Sequence, residues 1–94
     1  MKRWALKLDA ATARAPICAR LALAIRELRR ALGLTQERLA AEAGISLRMV
    51  RYIEKGKKIP TIDLVERIAA ALELTFEELG LVAAWFGRVP GEQV

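Results

Sequence analysis

Beyond Pro16 the apolar residues of this chain recur three and four positions apart, and over no convincing length do they alternate with polar ones. That period belongs to helices with one buried stripe, so the pattern predicts an all-α fold. Leu21, Ile25, Leu28 and Leu32 form the first stripe, on a helix expected from about Pro16 to Leu32 with the proline at its first position. Arg20, Arg26, Arg29 and Arg30 fall mostly outside that stripe. Leu39, Ala40 and Ala43 mark a short second helix over Gln36–Ala43, with Thr35 as its N-cap and Gly44 as a left-handed exit. Ile45 fills the corner, and Ser46 caps a third helix from Leu47 to about Lys55 that ends at Gly56. Only Val50 and Ile53 repeat there at buried spacing, which leaves Leu47, Arg48, Arg51, Tyr52 and Lys55 facing outward.

Thr61 caps a fourth helix, with Asp63 favourable to its dipole and a stripe of Leu64, Ile68 and Leu72 flanked by Val65 and Ala69. The capping box Thr75-Phe76-Glu77-Glu78 opens a fifth, which Gly87 is expected to end. On that helix Phe76, Leu79, Ala83 and Phe86 share one face, while Leu81, Val82 and Trp85 lie round the other. A terminal helix that is oily on two sides is usually covered by something, so Leu81, Val82 and Trp85 are the expected dimer contact. Before Pro16 the period drops to two: Trp4, Leu6 and Leu8 alternate with Arg3, Ala5 and Lys7, the mark of a short half-buried strand. Such a strand must pair with a second subunit or another protein, or lie over its own helices. The expected layout is an N-terminal extension over residues 1–15, a helical domain over 16–87, and a loose tail over 88–94 containing Pro90 and Gly91.

Charge adds direction to this pattern. The net charge is +5, and it is segregated: residues 1–34 hold eight basic and two acidic side chains, residues 35–60 six and three, and residues 61–94 two and six. The basic part includes the outward face of the third helix, which suits an anionic partner. Lys55, Lys57 and Lys58 form a basic loop beside it, where a lysine adds affinity for phosphate without sequence information. One cysteine and no histidine exclude an internal disulfide and a Cys/His metal site, and they leave no ready nucleophile–base pair. Cys18 is expected to be a small buried hydrophobe. No enzyme activity and no cofactor are expected. Lys7, Asp9 and Arg14 interrupt any apolar run at the start, so neither a signal peptide nor a membrane span is expected, and the reading is a cytoplasmic protein.

The stretch Gly33–Gly56 resembles the helix-turn-helix of the Cro/C1-type (XRE) repressor family, which is lambda-repressor-like. The small residue Ala40, the turn glycine Gly44 and the apolar set Leu39, Ala43, Ile45, Val50 and Ile53 match in register. So do Gly33-Leu34-Thr35-Gln36 before them, and Ile53-Glu54-Lys55-Gly56 with Pro60 after. The resemblance runs from about Leu21 to Leu79 and implies a five-helix bundle. It further implies that Leu47, Arg48, Arg51 and Tyr52 face the bases of double-stranded DNA, with Arg48 on guanine. Gln36, Arg38, Ser46, Lys55, Lys57 and Lys58 would hold phosphates, and Arg29 would pair with Glu54 to orient the reading helix. Where relatives carry an acidic residue at the third position of the second helix, this chain has Arg38.

The expected function is a sequence-specific transcriptional regulator, most simply a repressor, acting as a homodimer on a palindromic operator. The alternative is the antitoxin of a toxin–antitoxin pair, with a toxin protein as second partner; the N-terminal segment and the oily fifth helix keep it open. A helical protein-interaction module without DNA binding is a third reading, opposed by Gln36, Arg48, Arg51 and the lysine loop. For residues 1–9 the resemblance to phage repressors adds a basic arm reaching into DNA.

Overall fold

A computed structural model describes residues 16–57 and 59–86. The expected strand over 1–9, the residue Lys58, the stop at Gly87 and the tail over 88–94 lie outside the described residues. Five α-helices make up the regular structure of the rest: α1 Ile17–Ala31, α2 Gln36–Ala43, α3 Leu47–Glu54, α4 Ile62–Ala71 and α5 Phe76–Phe86. There is no strand among the described residues, and the all-α reading holds.

The helix boundaries follow from side chains that satisfy orphan backbone groups. Thr35 Oγ1 accepts from the Arg38 backbone N–H at 3.0 Å, Ser46 Oγ from that of Met49 at 3.0 Å, and Thr61 Oγ1 from that of Leu64 at 3.2 Å. At α5 the capping box closes reciprocally: Glu78 N–H donates to Thr75 Oγ1 at 3.1 Å and Thr75 N–H to Glu78 Oε1 at 2.9 Å. Pro16 is the N-cap of α1 rather than its first residue, with ψ 147° and its carbonyl accepting from Ala19 and Arg20. At the other ends Gly33, Gly44 and Gly56 take left-handed conformations near φ +70°. Helix α4 exits the same way through Glu73 at φ +65°, with the Leu74 N–H returning to the Ala69 carbonyl at 2.9 Å.

Ile25, Leu39, Val50, Ile68 and Leu79, one from each helix, are the largest fully buried side chains and meet in one core. Each is worth about 1.5–3 kcal/mol relative to exposure, so five helices too short to stand alone hold one another. Helix α1 makes its main contact along α5 and also packs on α3; α2 packs on α3 and α4. Because α1 is covered on more than one side, its buried arc is wider than one stripe, and Ala22 and Ala24 are buried in it.

That breadth corrects several expectations. Arg20 is buried rather than outside, and Arg26 is half-buried. Leu28 is half-buried and Leu32 is exposed, so the stripe fades at the C-terminal end of α1. Leu47 is not an outward residue: it is half-buried and packs on the core. Val82 likewise packs on the core instead of standing with the outer face of α5. Cys18 is half-buried.

Candidate nucleic-acid interface

Helix α3 owes its presentation to a sharp contrast between two sides. Val50 and Ile53 are buried on the core side, while Arg48, Arg51 and Tyr52 are exposed together on the other. Tyr52, 42% exposed, is a large ring left in solvent beside two guanidinium groups. With Ser46, Met49 and Lys55 these three line an open hollow of about 640 Å³. The rest of the chain leaves this ridge uncovered among the described residues, and it emerges from a two-helix unit whose tight corner is set by Gly44 at φ +71°.

The orientation of the ridge is fixed from behind by Glu54. Its Oε2 accepts from Arg29 Nε at 2.8 Å and its Oε1 from Arg29 Nη2 at 3.2 Å, a two-pronged pair. The two side chains are only 11% and 4% exposed. Arg29 Nη1 also donates to the Leu34 carbonyl at 2.9 Å, and Gln36 Nε2 donates to Glu54 Oε1 at 3.0 Å. Glu54 thus ties α1 and the first residue of α2 to the end of α3, and Arg29 ties in the α1–α2 turn. Burying such a pair adds little net stability, because desolvation offsets attraction; its evident role is geometric.

The predicted phosphate-binding residues separate into three conditions. Lys55 and Lys57 are exposed, on and after the last turn of α3. Gln36 is engaged with Glu54 through one amide N–H, which leaves the second N–H as a donor. Arg38 Nε is paired with Glu42 Oε2 at 2.7 Å, an exposed i,i+4 contact that leaves the remaining guanidinium N–H groups available. Ser46 Oγ accepts from the Met49 N–H as its cap, which leaves its O–H as a donor. Lys58 lies outside the described residues. The Gln36–Glu54 bond joins residues 18 apart in sequence, and no local pattern signals it. Among the described residues no group of three or more His, Cys, Asp or Glu side chains is placed to hold a metal ion. No described helix is long and apolar enough to cross a membrane.

Comparison with known proteins bears on this geometry. A family model, HTH_3 (helix-turn-helix), matches residues 25–79. The chain is 48% identical over 48 residues to an HTH-type transcriptional regulator of Methanothermobacter thermautotrophicus, covering 51% of this chain and 70% of that protein. It is 41% identical over 51 residues to the cryptic phage CTXphi transcriptional repressor RstR of Vibrio cholerae, covering 54% of this chain and 46% of the repressor. Among solved structures, the restriction-modification controller protein C.AhdI from Aeromonas hydrophila superposes with a TM-score of 0.63 at 32% identity, over 66% of this chain and 94% of that one. The clp gene regulator ClgR from Corynebacterium glutamicum gives 0.77 at 22% identity over 85% of each chain, a likeness of fold.

Proposed function

The chain belongs to the helix-turn-helix family that matches residues 25–79, and from that membership we propose that it is a sequence-specific double-stranded DNA-binding regulator of transcription, most simply a repressor, that reads the major groove with α3. The observation that carries this is the exposed ridge of Arg48, Arg51 and Tyr52, backed by a buried clamp that keeps it from turning away. B-DNA admits a helix in its major groove, and helix-turn-helix proteins present the N-terminal part of the second helix to base edges. Arg48, one residue inside α3, is placed for the two-pronged contact to guanine O6 and N7. Arg51 and Tyr52 follow on the same ridge. Leu47 offers a thymine methyl only its exposed margin, since the rest packs on the core. Lys55, Lys57, Lys58, the free N–H of Gln36, the remaining guanidinium N–H groups of Arg38 and the O–H of Ser46 supply phosphate contacts that position without specifying.

The DNA-binding unit in this reading is residues 16–87. A single module of this size covers limited DNA, so we assign the exposed Leu81 and Trp85 of α5 to a two-fold homodimer that spans two half-sites about 34 Å apart. The protein acts where the genome lies, in the cytoplasm. The relatives described above are named as a transcriptional regulator, a transcriptional repressor and a restriction-modification controller protein, which favours this reading over the antitoxin alternative. The test is selection of bound duplexes from a random pool. The expected result is an inverted repeat with half-site centres about one helical turn apart; recovery of no enriched sequence would reject specific reading.

A further inference from the structure

The outer face of α5 is small for the dimer assigned to it. Leu81, Ala84 and Trp85 are exposed there, with Glu77 and Glu78 one turn before them. The helix has 11 residues and is about 16 Å long. Stable interfaces bury about 800 Å² on each partner and draw on roughly 20–30 residues a side. Two such faces in contact fall well short of that, so a dimer built on α5 needs further apolar surface.

The chain carries such surface before α1. Trp4, Leu6 and Leu8 recur at every second position, with Lys2, Arg3 and Lys7 among them. In the extended form that this period predicts, Trp4 to Leu8 covers about 13 Å, a length that fits along α5. Charge agrees with length. Glu77 and Glu78 are exposed, and Glu77 makes no ion pair among the described residues. Gly80, on the flank of the same face, has open space where a Cβ would stand. A glycine inside a helix is less stable than alanine, and the described packing does not require this one; a chain lying close against α5 would.

We propose that residues 4–8 of each copy complete the homodimer by lying against α5 of the other. Trp4, Leu6 and Leu8 meet the partner subunit's Leu81 and Trp85, and Lys2 and Arg3 stand beside the partner subunit's Glu77. The tether allows it. Pro16 caps α1, which packs along α5, so the second α5 lies two helix layers away, roughly 18 Å. Residues 9–15 span at most about 25 Å. The two-fold relation gives each segment an equal face, and the added apolar side chains supply area that α5 alone lacks. This rests on the homodimer assigned above, not on which bases α3 reads.

A mixed sample of isotope-labelled and unlabelled full chains reads the contact directly. Nuclear Overhauser contacts from the Trp4 ring to the Leu81 methyl groups are expected to pass between copies. Contacts confined to one copy, or none in a dimer, overturn the proposal. Sedimentation gives a second reading: the full chain carrying Trp4→Ser, Leu6→Ser and Leu8→Ser is expected to raise the dimer dissociation constant about tenfold or more. An unchanged dimer overturns the proposal, and so does a tighter one, because the segment would then have been covering its own α5. The wild-type contacts decide this even if the variant misfolds. A wild-type chain that stays monomeric sinks the homodimer reading itself, whereas a dimer without these contacts sinks only the part given to the segment.

Discussion

Helices α3 and α5 are both amphipathic in placement but not in kind. Each buries one face in the same core, α3 through Val50 and Ile53, α5 through Leu79 and Ala83. Their outer faces are opposites. That of α3 carries Arg48, Arg51 and Tyr52, whereas that of α5 leaves Leu81 71% and Trp85 58% exposed. An outer face rich in guanidinium is stable in water and waits for an anion; an outer face with an exposed indole is better off against another apolar surface. The two are also held differently. Behind α3 stands a charged clamp with directional bonds, while α5 is secured mainly by nonpolar packing along α1. Directional bonds fix a rotation about the helix axis, which a reading helix needs; apolar packing fixes contact and leaves orientation more tolerant.

The largest test of that contrast removes the clamp. Glu54→Ala leaves the Arg29 charge buried without an opposite charge and is expected to cost about 3–5 kcal/mol in denaturant unfolding. A loss below about 1 kcal/mol would mean that α3 is held by packing, as α5 is. Next comes the outer face of α5. Trp85→Ala is expected to leave the fold of each subunit intact and to weaken self-association by about 2 kcal/mol, roughly thirtyfold, as read by sedimentation. A wild-type chain that stays monomeric at high concentration would show that this face meets something other than a second copy.

The smallest effects come from the turns beside the two helices, and they should differ in sign. Gly56→Ala combines a left-handed φ with a close approach to Ala19 and Ala22, and is expected to destabilise by about 1–3 kcal/mol. Glu73, on the way into α5, is the one non-glycine residue described with positive φ. Glu73→Gly is expected to stabilise by about 0.5–1 kcal/mol in thermal unfolding. Equal signs would show that local conformation does not separate the two turns.

What was legible in the sequence follows the same division. Helix α2 matches its predicted bounds because both ends carry chemical signals, the Thr35 hydroxyl and Gly44. The exit of α4 carried none, since a glutamate occupies the left-handed position. On α1 one apolar row is only part of the buried face; α3 and α5 together cover a broader arc that takes in Arg20, Ala22 and Ala24. Leu47 and Val82 depart from their expected faces for a related reason: each sits at the edge of a stripe, where spacing alone does not decide burial. The Arg29–Glu54 pair came from likeness to a family, and the bonds of Gln36 and Leu34 that complete it depend on distances no period encodes.

In the proposed function α3 reads base edges while the neighbouring lysine turn only grips the backbone. Its most direct test compares base preference, measured over all single substitutions of the selected operator, for wild type, Arg48→Ala and Lys57→Ala. Arg48→Ala is expected to lose about 1–3 kcal/mol of discrimination at one base pair. Lys57→Ala is expected to weaken every sequence about equally and reduce the salt slope by about one. Two variants with the same uniform loss, and an unchanged preference at every position, would contradict it.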